Sequence, residues 1–243
     1  MAFFQEQRGQ HEPFLRAPAS VVGLVALLVL IHAARALAPP ALSDQIFQQF
    51  ALDPVVYSPS ALHALGAERP SLIWLVLPLF SSIFLHVSWF HVTLNGLWLF
   101  AFGPVVARRF GAPAFFAFFL LCGLGGSLVF IALAWGQNIG AIGASGAISG
   151  LMGAAFRMIR FREPWLNGTT LPLQPVLSRP LINVTVLWLV LNVVTGLIGP
   201  GLIGGTGVIA WQDHMGGYLA GLLLAGPFDH FFGLGARLRG RGP

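Results

Sequence analysis

The chain has 243 residues, of which 56% are hydrophobic and only 9% are charged. A soluble domain carries about 25% charged residues. This composition therefore excludes a soluble protein with a water-covered surface and predicts an integral membrane protein. The net charge of +5 comes from 13 arginines and no lysine. Because the arginines flank apolar runs, they indicate membrane topology rather than a nucleic-acid-binding surface.

The first apolar run extends from Ala19 to Leu37. It is long enough for a membrane-spanning helix, which needs about 20 apolar residues. Residues 1–18 contain no apolar core of their own, so we expect no cleavable signal peptide and interpret the first run as a retained anchor. The stretch that follows, residues 38–70, is too polar to span the membrane.

The next stretch, Ser71 to Ala107, contains 37 residues without a charged side chain. A single helix of this length would measure about 55 Å, too long for one crossing, whereas two crossings and a turn need more residues. Pro78 and the neighbouring serines favour a broken, half-embedded segment over Ser71–Leu85. A true spanning helix is then predicted over Trp89–Val106.

The remaining apolar runs predict four further crossings. They cover Pro113–Ala134, Gly143–Met158, Leu181–Ile198 and Trp211–Pro227. Six crossings place the arginine clusters on one face, which the positive-inside rule assigns to the cytoplasm together with both termini. We expect an all-α membrane protein, a six-transmembrane-helix bundle with a membrane-embedded first loop. It forms a single domain over 1–243, with a core at about 17–230 and short cytoplasmic tails. The composition, rich in Ala, Gly and Arg, suggests a bacterial inner membrane.

Two polar side chains interrupt the apolar runs beside small residues. Ser145 lies between glycines in the segment Gly143–Ala147, and His214 begins the pattern His214-x-x-Gly217-x-x-x-Gly221. A hydroxyl group surrounded by lipid has no water to satisfy it, so it needs a partner or a function. Because a serine becomes a good nucleophile when a base accepts its proton, the pair predicts an intramembrane nucleophile and its base.

The predicted topology places four polar side chains at a similar depth. Predicted helices 2, 4 and 6 all run from the outer to the inner face, and His91, Asn95, Ser145 and His214 lie near their starts. His91 and Asn95 are spaced i, i+4, so they share a helix face and can each donate a hydrogen bond to an oxyanion. Asp213 precedes His214 directly, and adjacent side chains diverge on a helix, so it is assigned no triad role.

The glycines predict how the serine and the histidine meet. Gly217 and Gly221 follow His214 at i+3 and i+7, and Gly146 contributes to a small-residue face on the serine helix. Such faces allow close backbone approach. A short serine side chain could then reach an imidazole on the next helix, without a third acidic residue.

Three motifs in order resemble those of the rhomboid family of intramembrane serine proteases. They are His91–Asn95 (HxxxN), Gly143–Gly146 (GxSG) and His214–Gly221 (HxxGxxxG). The resemblance covers about residues 17–230. It implies a serine endopeptidase with Ser145 as nucleophile, His214 as general base, and His91 and Asn95 stabilising the oxyanion.

The resemblance has further implications for residues around the site. It implies structural or packing roles for His86, Gly143, Gly146, Gly217 and Gly221. It also implies that the loop at 199–210 caps the site and that predicted helix 5 is the substrate gate. Position 149, often aromatic in the family, is a serine here.

The expected partners are single-pass transmembrane substrates and the lipid bilayer, with no nucleic acid. No cofactor or metal is expected, because no Cys, His, Asp or Glu set has ligand spacing. Two alternatives stay open: a catalytically inactive rhomboid-like adaptor that binds transmembrane clients, and a small transporter or channel. The adaptor is disfavoured because Ser145 and His214 are both present. The transporter would need polar residues along a continuous path through the membrane.

Overall fold

The computed structural model describes residues 17–159, 172–202 and 210–233, without the side chains of 199–202. Within these ranges the regular secondary structure is helical, apart from one isolated antiparallel bridge between Leu52 and Ala141. The helices are α1 (Ala19–Ala36), α2 (Pro40–Phe50), α3 (Pro59–Ala64), α4 (Leu72–Val76), α5 (Pro78–Ser81), α6 (Trp89–Phe110), α7 (Ala112–Leu133), α8 (Ser145–Met158), α9 (Arg179–Leu202) and α10 (Trp211–Phe232). Short 3-10 helices cover Pro54–Tyr57 and Ser82–Phe84.

Four of the described helices, α1, α6, α7 and α9, are long and apolar enough to cross a membrane. The prediction of an all-helical, multi-pass membrane protein is therefore confirmed. Helix α8 has only 14 residues, and α10 is long enough but less apolar. The count of six crossings stays a prediction.

The bounds of α1, α7 and α8 agree with the predicted bounds to within two residues. Three predicted helix ends were wrong, those of α6, α9 and α10. Helix α6 continues past Val106 to Phe110, and α10 continues past Pro227 to Phe232. A proline removes one backbone hydrogen bond, but neighbouring helices can compensate for it.

Packing and charge pairing hold the last turn of α10. Phe228 packs against the rings of Phe110 and Phe118. Asp229 accepts two hydrogen bonds from the buried guanidinium of Arg109 on α6, at 2.7 and 2.8 Å. These contacts explain why the helix continues beyond Pro227, since Phe228 and Asp229 are the next two residues.

The predicted broken segment, Ser71–Leu85, consists of the short helices α4 and α5 and a 3-10 turn. Among its hydrogen bonds, two join it to the part of the chain before it. The Tyr57 hydroxyl donates to the Leu75 carbonyl at 2.7 Å, and the Ser81 hydroxyl donates to the Phe50 carbonyl at 3.0 Å. The break in the helix is as expected, whereas its depth in the membrane stays a prediction.

The predicted loop at 199–210 is partly helical, because α9 continues to Leu202. The predicted end of this helix at Ile198 was therefore wrong. Residues 203–209, which would form most of the proposed cap, lie outside the described residues, as do 160–171 and both tails.

Helix α8 lies at the centre of the bundle, and eleven of its 14 residues are buried. It packs against α6, α7 and α10. Its glycines and alanines allow this close packing, since small side chains let helix backbones approach. Helix α9 is peripheral, since only 11% of an 18-residue apolar stretch of this helix is buried. Helices α6, α7 and α10 therefore surround α8, with α9 along one side.

Candidate active site

Gly143 shapes the turn that leads into α8. Its φ of 127° is strained for any residue with a side chain. Its N–H donates to the Ser82 carbonyl at 2.9 Å, and a Cβ at this position would lie 2.8 Å from Cε1 of His91. This turn makes Ser145 the first residue of α8 and brings the His91 ring close to it.

His86 links this turn to α1. The Ala144 N–H points to Nε2 of the fully buried His86 ring at 3.5 Å. The His86 carbonyl accepts hydrogen bonds from His32 Nδ1 at 3.1 Å and from the Arg35 guanidinium at 2.8 Å. His86 therefore connects α1 to the residue before Ser145. This geometry is compatible with the structural role that the sequence predicts for it.

The Ser145 hydroxyl and the His214 imidazole come together between α8 and α10. Oγ of Ser145 lies 2.8 Å from Nε2 of His214. Gly217 and Gly146 permit the approach, because a Cβ at Gly217 would overlap the Gly146 carbonyl. Serine and imidazole therefore meet through direct backbone contact between two helices, as the small-residue pattern predicts.

The other nitrogen of His214 has a partner that sequence reasoning missed. Nδ1 lies 2.9 Å from Oδ1 of Asn192 on α9, and Nδ2 of Asn192 donates to the Trp211 carbonyl at 2.8 Å. The signal was available, since an amide in an apolar run needs a partner just as a hydroxyl does. The sequence did not indicate which residue would be the partner of Asn192.

His91 and Asn95 occupy neighbouring turns of α6. Asn95 is 4% exposed, and its amide donates to the His91 carbonyl at 2.9 Å. An amide NH₂ has two donors, so this bond leaves one for another acceptor. Nδ1 of His91 is buried and has no hydrogen-bond partner among the described residues. Both side chains thus retain unused hydrogen-bonding capacity.

Asp213 points away from the imidazole that follows it. Its carboxyl group lies against Gly126 and Gly146 and accepts a hydrogen bond from the Gly146 N–H. A carboxylate at this place also suits the positive end of the α8 dipole. The contacts of Asp213 are thus with the start of the serine helix.

A small cavity opens beside this turn, lined by polar and apolar residues. Its polar walls come from Ser82, Ser127 and Asp213, and Gly143 and Ala147 border it on the α8 side. No group of three or more His, Cys, Asp or Glu side chains that could hold a metal occurs in the described part of the chain. The polar groups around the start of α8 are thus hydroxyls, imidazoles, amides and the Asp213 carboxyl group.

The architecture and the site together define a helical, multi-pass membrane protein with a serine–histidine pair inside its bundle. A family model described as Rhomboid domain matches residues 74–228. The chain belongs to the rhomboid family, which confirms the resemblance of its motifs.

One curated relative adds to this comparison. Over 146 residues the chain is 32% identical to "RHOMBOID-like protein 4" of Arabidopsis thaliana. The aligned region covers 60% of this chain and 32% of that protein. The chain thus spans about a third of the length of this relative.

Proposed function

We propose that this rhomboid-family protein is an intramembrane serine endopeptidase. It would hydrolyse peptide bonds in or near the transmembrane segments of single-pass membrane proteins. The observation that carries the proposal is the 2.8 Å contact between Ser145 Oγ and His214 Nε2. At this distance the imidazole can take the hydroxyl proton as the oxygen attacks a carbonyl carbon.

The remaining steps follow from the same pair. Attack forms a tetrahedral intermediate, and the proton on Nε2 then passes to the leaving amine as the peptide bond breaks. Water next attacks the acyl-enzyme while His214 takes its proton, and His214 returns that proton to Ser145 Oγ as the ester bond breaks and the carboxyl product leaves. The cavity beside the Gly143 turn has polar walls at Ser82, Ser127 and Asp213 that can hydrogen-bond water.

The oxyanion needs donors that are already in place. His91 and Asn95 both have unused hydrogen-bonding capacity on the α6 face beside the Gly143 turn. The backbone N–H of Ser145, at the start of α8, adds a donor and a favourable helix dipole. These three groups are our proposed oxyanion stabilisers.

The proposal includes six membrane crossings with both termini in the cytoplasm of a bacterial cell, and a half-embedded segment before α6. Helices α8 and α10 would be the two further crossings. The burial of α8 supports this, because a helix shielded from lipid by its neighbours needs less apolar surface. Ser145 and His214 then lie in the outer half of the bilayer, where water can enter.

The test uses the full chain in proteoliposomes with a model single-pass transmembrane substrate. Wild type should release a product that Ser145→Ala does not, and a fluorophosphonate probe should label wild type only. Ser149→Ala is the matched control, since it removes another hydroxyl from the same helix. Equal cleavage by wild type and Ser145→Ala would refute the proposal. Folded wild type that neither cleaves nor labels would indicate an adaptor instead.

A further inference from the structure

Asn192 interrupts the apolar middle part of α9, residues 186–194. Neighbouring residues of α9, Val190, Leu191 and Val194, are exposed by 54%, 54% and 44% on the outside of the bundle. Asn192 is half-buried and faces α10 instead. An amide in this setting is costly unless both its ends are satisfied. Both ends of Asn192 are satisfied, and both by α10.

The orientation of the Asn192 amide is fixed by chemistry. Its partners are the Trp211 backbone carbonyl and Nδ1 of His214. A backbone carbonyl only accepts hydrogen bonds, so the group that faces Trp211 must be the NH₂. The amide oxygen therefore faces His214. The reversed amide would place two oxygens together and lose that bond.

The orientation of the amide in turn fixes the proton on the imidazole. An amide oxygen only accepts, so Nδ1 of His214 must carry a hydrogen. In a neutral imidazole the other nitrogen, Nε2, is then unprotonated. That is the nitrogen 2.8 Å from the Ser145 hydroxyl. The chain of bonds thus leaves Nε2 free to accept the serine proton.

Resting on the function proposed above, we infer that Asn192 is a positioning residue that holds His214 in the tautomer and ring orientation required of a general base. The proton on Nδ1 stays in place throughout, donated to Asn192. The proton of Ser145 moves to Nε2 and then to the leaving amine. The Asn192 oxygen also stabilises the imidazolium formed in between, because Nδ1–H is the more strongly polarised donor in that state.

This arrangement makes the serine–histidine pair depend on a third helix. Ser145 and His214 belong to α8 and α10, whereas Asn192 belongs to α9. The seam between α9 and α10 has further contacts along its length. Trp188 stacks on Tyr218 with ring centroids 4.2 Å apart, and Thr185 shares a 2.7 Å hydrogen bond with the Tyr218 hydroxyl. These contacts hold Asn192 at the height of the imidazole.

The test compares three variants of the full chain in proteoliposomes. Asn192→Leu removes the acceptor at similar volume, and Asn192→Asp keeps an oxygen for Nδ1–H. Asn183→Leu is the matched control, because Asn183 is an exposed asparagine of the same helix. We expect Asn192→Leu to lower kcat about 10- to 100-fold, the effect of an unsatisfied buried donor, while KM stays nearly constant. Asn192→Asp should recover part of kcat, since it keeps the acceptor for Nδ1–H but loses the donor to the Trp211 carbonyl. Asn183→Leu should match wild type.

The second readout is the ¹⁵N NMR spectrum of the histidine rings, with His214 assigned by the loss of its signals in His214→Gln. Wild type should show a protonated Nδ1 and an unprotonated Nε2 on His214. Asn192→Leu should show exchange between tautomers. A merely structural role for Asn192 would lower thermal stability without changing this pattern. If Asn192→Leu does not fold, the proposal is tested by the kcat of Asn192→Asp and by the tautomer of His214 in wild type.

The two proposals fail in different ways. Cleavage that is the same in wild type and Ser145→Ala refutes the protease function, whereas the tautomer of His214 is measured without turnover. A wild-type His214 protonated at Nε2 refutes the role of Asn192. Unchanged kcat and an unchanged tautomer in folded Asn192→Leu refute it equally.

Discussion

The carbonyl oxygen of Gly146 on α8 occupies the space in which a Cβ on Gly217 of α10 would lie. One turn further along each helix, the carbonyl of Gly150 has the same relation to Gly221. The two backbones are therefore in direct contact over this interval. Ser145 and His214 lie at one end of the contact, so their separation depends on it.

Gly217→Ala and Gly221→Ala should each force α8 and α10 apart. Overpacking of this kind costs about 1–3 kcal/mol, and we expect a lower unfolding temperature together with a loss of cleavage. Gly23→Ala on α1 is the control, because a Cβ there meets nothing within 4 Å. It should be neutral or stabilise the protein by up to about 1 kcal/mol. Thermal unfolding in detergent and substrate cleavage measure both effects; equal behaviour of the three variants would contradict the prediction.

Gly143→Ala should impair activity more than it impairs folding. The φ of 127° strains an alanine by about 1–3 kcal/mol, and its methyl group would press on the His91 ring. The turn would relax and displace Ser145, so labelling by a fluorophosphonate should fall at least about tenfold. Gly140→Ala serves as control, since its Cβ would lie 3.9 Å from Ala51 in ordinary contact. Full labelling of Gly143→Ala would show that the turn tolerates a side chain.

His91→Ala and Asn95→Ala should lower kcat with little change in KM. Removal of one oxyanion donor costs about 10²- to 10³-fold in kcat, because the interaction exists only in the transition state. Thr93→Ala, an exposed position of the same motif, is the control and should behave as wild type. Steady-state kinetics on a model substrate separates the two constants. A normal kcat in Asn95→Ala would show that the Asn95 amide bonds the His91 carbonyl but does not stabilise the oxyanion.

Asp229→Asn should destabilise the protein without changing its chemistry. The Arg109 side chain is 4% exposed and Asp229 is 25% exposed, so removal of the carboxylate leaves a largely buried positive charge. We expect a loss of about 2–4 kcal/mol. The double variant Arg109→Met with Asp229→Leu should recover part of the loss, since both charges are then absent. Thermal unfolding measures the change, and kcat below the transition should stay normal. A single variant as stable as wild type would mean that the ion pair contributes little.

The sequence identified the features that depend on composition and spacing along one helix. Apolar runs predicted α1, α6, α7 and α9 as spanning helices, and glycines at i+3 and i+7 after His214 predicted a face for close packing. Helix ends were less predictable. Pro227 suggests an end of α10, but contacts of Phe228 and Asp229 with distant helices extend it.

Ser145 and His214 could be singled out from sequence because each interrupts an apolar run beside glycines, a pattern visible along the chain. Asn192 interrupts an apolar run too, but nothing beside it indicates what it binds. Its partners, His214 and the Trp211 carbonyl, depend on the height and rotation at which α9 lies against α10. A periodic pattern determines which residues share a helix face. Which face meets which neighbour is decided by packing between helices distant in sequence, and only the tertiary structure shows it.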